Sequence, residues 1–131
     1  MQLNKKIFEI IGNVSRPTIV FFFPGLGIGN IYDDLSGCTL QTNQFEVLSK
    51  NNPNINFIGI SNQKIPNNNR YIKYIQISQK QSIDFDTIKK ENKYYLQRVS
   101  YFIDKNNIIK YKNDDTYNHI DFINKCTGGI I

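Results

Sequence analysis

Cys38 stands in GLGIGNIYDDLSGCTLQTNQF, where a glycine-rich loop gives way to apolar residues at roughly helical spacing, Leu40, Phe45, Val47 and Leu48. A thiol at a helix N-terminus faces unpaired backbone N–H groups and the positive end of the helix dipole, both of which favour the thiolate. That end effect is worth about 0.3–1 kcal/mol, rising to ~2 in favourable sites, which brings a thiol from about 8.5 to about 7 at best. A fully ionised nucleophile needs a cation as well. Arg98 is the candidate: of the three arginines, Arg16, Arg70 and Arg98, it alone opens a clearly apolar strand, RVSYFID. Its guanidinium stays charged and can hold an oxygen-bearing substrate. Asp33 and Asp34 oppose ionisation unless the loop turns them outward.

Other chemistries fit less well. PGLGIGN follows an apolar run, but Asn30 stands where a dinucleotide fingerprint needs its third glycine, and IYDDLSG intervenes before the helix. A GxxxxGK[ST] phosphate loop fails because no lysine lies between positions 7 and 49. Cys38 and Cys126 cannot make a zinc site alone, neither belongs to a CxxC pair, and His119 is the single histidine. His119 therefore receives no role, and neither a metal nor another cofactor is expected.

The elements that must position Cys38 and Arg98 are read from periodicity. KKIFEII near the start reads as a short strand, and TIVFFF (18–23) as a strand buried on both faces. A helix then runs from about Cys38 to the NNPN turn at 51–54, and INFIGIS (55–61) reads as a second buried strand. YIKYIQIS (71–78), beyond a PNNN turn at 66–69, fits an edge strand or a helix remnant. Asp84 can cap a short helix over FDTIKKENK. RVSYFID alternates as a strand, Asn106 and Asn107 turn the chain, IIKYK (108–112) returns antiparallel, and TYNHIDFINKC reads as a last helix. A parallel first half and an antiparallel second half predict an α/β fold, a mixed central sheet flanked by helices.

The 131 residues suit one domain over 1–131, large enough to bury its own core. A net charge of +5 comes from lysines interspersed with acids rather than from an arginine stripe, which argues against a nucleic-acid partner. Abundant asparagine, isoleucine, lysine and tyrosine, with no alanine or tryptophan, matches codon usage in an AT-rich genome. No apolar stretch approaches a membrane span, and the N-terminus lacks the features of a secretion signal, so a cytoplasmic protein without a membrane partner is expected.

TIVFFFP, GCTLQTNQF, NINFIGIS and RVSYFIDKNNIIKY, in that order over roughly 18–112, together resemble the peroxiredoxins, in particular the bacterioferritin-comigratory type. The resemblance implies a thioredoxin-like fold and a thiol peroxidase acting on hydrogen peroxide or an organic hydroperoxide. Cys38 would be the peroxidatic cysteine, Arg98 the active-site arginine, and a thioredoxin-like or small-thiol reductant would close the cycle. Three departures stand out. Leu35 occupies the place of the family's threonine or serine, leaving Ser36 or Thr39 to position the peroxide. Pro24 lies fourteen residues before the cysteine, so the loop is long, and Asn43 fills the position of a common resolving cysteine. Cys126 would be the substitute resolver, within the chain or across a homodimer. Two other readings stay open: a redox-sensing or binding protein that kept the scaffold, or a thiol enzyme with a non-peroxide substrate.

Overall fold

The computed structural model describes residues 2–25, 38–63 and 72–113, with side chains for all of these except 2–4 and 38–42. Ten elements follow in chain order: α1 (Gln2–Ile11), β1 (Thr18–Phe22), α2 (Cys38–Asn51), β2 (Asn56–Ser61), β3 (Lys73–Gln76), α3 (Gln79–Ser82), β4 (Thr87–Lys90), β5 (Lys93–Leu96), β6 (Val99–Ile103) and β7 (Ile109–Asn113). Five strands form one sheet in the order β3-β2-β1-β6-β7. β1, β2 and β3 run parallel, while β6 is antiparallel to β1 and β7 to β6, so the expected mixed sheet is present.

β1 is apolar after Thr18, as suits a central strand buried at every position. Ile19 and Phe21 face α2, meeting Phe45, Phe57 and Phe102. Val20 and Phe22 face α1, meeting Ile7, Ile60 and Tyr101. Phe21 carries the α2 side: its ring stacks on Phe45 with centroids 4.5 Å apart and meets Tyr74 edge-on at 6.2 Å.

These rings need Gly59, in the middle of β2. A Cβ there would lie 2.7 Å from Cζ of Phe21 and 2.8 Å from Cδ1 and Cε1 of Tyr74. Gly59→Ala is therefore expected to cost about 1–3 kcal/mol through overpacking, read as a lowered denaturation midpoint.

Two expectations are corrected. KKIFEII is helical, part of α1, rather than a strand. Ile7, Phe8, Ile10 and Ile11 fall at the i, i+1, i+3, i+4 spacing of one helix face, and all pack on the sheet. FDTIKKENK is not a helix capped by Asp84. It forms β4 and the first residue of β5, paired antiparallel through a two-residue turn at Glu91 and Asn92, whose φ values are 50° and 70°. Two successive left-handed residues match the twist of a tight hairpin. The helix of this segment is the shorter α3, capped by Ser78, whose Oγ accepts from Gln81 N at 3.0 Å while Gln81 Oε1 accepts from Ser78 N at 2.9 Å.

The remaining expected strands are present, with Lys73–Gln76, inside the expected 71–78, forming the edge strand β3. At the β6–β7 turn Asn107 is left-handed at φ 64°, and Asp104 Oδ1 accepts from Asn106 N and Ile108 N. Asn107 Oδ1 also accepts from Val14 N at 2.7 Å, tying this turn to the α1–β1 link. The PNNN turn and the final helix over TYNHIDFINKC fall outside the described residues.

Candidate functional site

Chain direction brings the two principal candidates to one end of the sheet. β1 and β2 are parallel and α2 joins them, so α2 runs back against the strands and begins where β1 finishes. Its fourteen residues span roughly 21 Å, about the length of β2 beneath it. The far end is fixed at Asn52, whose Nδ2 donates to Leu48 O at 2.7 Å. Phe45, stacked on Phe21 and tilted against Phe57, holds the middle. Cys38 is the first residue of α2, one helical stretch of about 10 Å before Phe45.

β6 runs opposite to β1, and Phe22 pairs with Val99, so Arg98 sits just before that pair at the same sheet end. Arg98 is half-buried, with its Nε enclosed. The first turn of α2 contains no acidic residue to oppose an anion at its N-terminus. A helix start and a guanidinium thus share the rim of the sheet.

The departure of the chain from β1 is closely held. Phe23 N donates to Ile60 O at 3.0 Å, extending the pairing beyond β1. Ser61 Oγ donates to Pro24 O at 3.4 Å and accepts from Gln63 N at 3.1 Å. Gly25 has φ 142°, and a Cβ there would lie 2.8 Å from Cγ of Gln63, so this backbone conformation and this contact both require glycine. Asn62, buried beside it, donates through Nδ2 to Ser82 Oγ at 2.9 Å and to Tyr94 O at 2.6 Å. These bonds join the end of β2 to α3 and to the β4–β5 hairpin, walling the rim. Sequence reasoning missed Ser61, Asn62 and Gln63 because polar residues after a strand look like any turn, and the bonds of Ser61 to Pro24 and of Asn62 to Ser82 and Tyr94 reach 20 to 37 residues along the chain.

Beneath α2, the Tyr74 phenol lies beside the carboxylate of Glu46. Burial first, then the neighbouring charge of Glu46, raise the Tyr74 phenol well above its ordinary range, so it stays neutral. The contact links α2 to β3 on the face shared with Phe21.

The other named residues are placed as follows. Thr39 lies in the first turn of α2, and its side chain, like that of Cys38, is outside the described ones. Leu35, Ser36, Asp33, Asp34, His119 and Cys126 lie outside the described residues. Among the described residues no three His, Cys, Asp or Glu side chains gather as metal ligands, and no helix is long and apolar enough to cross a membrane.

No family model matches the chain, and no curated protein matches it in sequence. Solved structures do. The peroxiredoxin-like protein from Aquifex aeolicus superposes with a TM-score of 0.68 at 15% identity, over 91% of this chain and 75% of that one. Peroxidoxin BcpB from Mycobacterium tuberculosis gives 0.67 at 16% identity, over 98% and 85%. Peroxiredoxin Q from Xanthomonas campestris gives 0.64 at 12% identity, over 91% and 83%. The fold is therefore the thioredoxin-like fold seen in peroxiredoxins.

Proposed function

We propose that the chain is a thiol peroxidase of the bacterioferritin-comigratory peroxiredoxin type, with Cys38 as nucleophile. The observation that carries this reading is the placement of a cysteine as the first residue of α2 at the sheet end where Arg98 precedes β6, within a peroxiredoxin fold. Helix N–H groups and the guanidinium together favour a thiolate.

The thiolate attacks one oxygen of the peroxide: the S–O bond forms, the O–O bond breaks, and the departing oxygen takes a proton to leave as water or an alcohol. Arg98, with its fork of donors, stabilises that developing oxyanion. A second thiol then attacks the sulfenic acid, releasing water and forming a disulfide. Cys126 serves as that thiol, in the same chain or across a homodimer, and a thioredoxin-like or small-thiol reductant restores both. Where Cys126 does not reach, the external thiol reduces Cys38 directly. Ser36 or Thr39 positions the peroxide in place of the missing hydroxyl at Leu35. A thiol that must be reduced at every turnover suits a reducing compartment such as the cytoplasm.

Leu35 supports a second reading, in which the scaffold is retained for redox sensing, binding or a non-peroxide thiol reaction. Arg98→Lys separates the two. For a peroxidase, losing the planar fork lowers peroxide consumption with dithiothreitol by about ten- to a hundredfold, the scale of one hydrogen bond to a charged group. It also shifts the pH–rate profile upward at an unchanged denaturation midpoint. A non-peroxide role predicts no peroxide turnover in either protein, and a mass-spectrometric screen for adducts on Cys38 then identifies what the thiol attacks.

A further inference from the structure

The opposite end of the sheet carries a second feature. An open cleft of about 540 Å³ lies where β1, β2 and β3 begin, between the last residues of α1 and of α2. Arg16, Lys50 and Lys73 line it from three different elements or links, and no acidic residue among the described ones does. None of the three makes an ion pair among the described residues, whereas Lys6, Lys110 and Lys112 elsewhere each face a carboxylate. Arg16 is also held in place: its Nε donates to Asn56 Oδ1 at 2.8 Å and Nη2 donates to the same oxygen. Asn56 is itself fixed, its backbone N donating to Pro17 O at 2.9 Å. An arginine anchored on a neutral amide keeps its full charge and a set orientation.

Three cations without an ion pair among the described residues, set around one concavity, repel each other and focus a positive potential into it. The space exceeds what a bare phosphate fills, and Ile11, Val14, Ile55 and Ile58 give the cleft apolar surface beside the cations. We propose that this cleft binds a small phosphomonoester, its phosphoryl group on Arg16 and Lys73 or Lys50 and its organic body against these aliphatic side chains. The site lies at the other end of the sheet from Cys38 and does not depend on the peroxidase reading.

Phenyl phosphate is the probe, titrated into the full chain by calorimetry at low salt, with inorganic phosphate in parallel. Saturable binding of phenyl phosphate is expected, several-fold tighter than that of inorganic phosphate and weakened at least tenfold by Arg16→Gln. Lys80→Gln, on α3 at the other sheet end, is expected to leave it unchanged. Both side chains are exposed, and an unchanged circular dichroism spectrum checks that each variant folds. Absence of saturable binding at millimolar phenyl phosphate, equal binding of inorganic phosphate, or equal loss in the two variants would overturn the proposal.

Discussion

Cys38→Ser is expected to lower peroxide consumption in the presence of dithiothreitol by at least about three orders of magnitude, with the denaturation midpoint little changed. The size follows from what is removed. A serine hydroxyl at the head of α2 gains little from the helix end, because it remains protonated where a thiol ionises. The remaining Arg98 and backbone N–H groups would still bind the peroxide, but with no nucleophile they have no developing charge to stabilise. Nucleophile removals in enzymes act on this scale or beyond. Peroxide turnover that survives the substitution would place the chemistry elsewhere, with Cys126 the first residue to test.

Phe21→Ala carries the largest expected effect on stability. The ring is fully buried and packed between Phe45 of α2 and Tyr74 of β3 in the middle of the central strand. Its loss should cost about 3–5 kcal/mol, a large part of the ~5–15 kcal/mol typical of a domain. Function should fall with it, since Phe21 and Phe45 hold the helix that presents Cys38. Chemical denaturation reads the cost directly. A midpoint shifted by less than about 1 kcal/mol would mean that α2 is held chiefly by other contacts.

Much of this arrangement was legible in the chain's residues. TIVFFF and INFIGIS announce strands buried on both faces, and RVSYFID with its asparagine turn announces a hairpin. Cys38 stood out because its type and its place before Leu40 and Phe45 already define a chemical position. Two elements misled for a common reason: short segments satisfy more than one period. KKIFEII is β-branched enough for a strand, yet its apolar residues fall on one helix face. FDTIKKENK has charges spaced for a helix, but Glu91 takes a left-handed conformation that sequence alone does not announce. Gly59 and the Gly25–Gln63 contact were equally hidden, because each glycine is required by side chains far along the chain.

The most direct test is the second-order rate of Cys38 oxidation by hydrogen peroxide, measured by stopped flow on the reduced protein, with mass spectrometry to identify the modified residue. A peroxidatic thiol held by the head of α2 and by Arg98 should form sulfenic acid at least about a thousandfold faster than free cysteine. A rate equal to that of free cysteine would contradict the assignment and leave the fold serving another purpose.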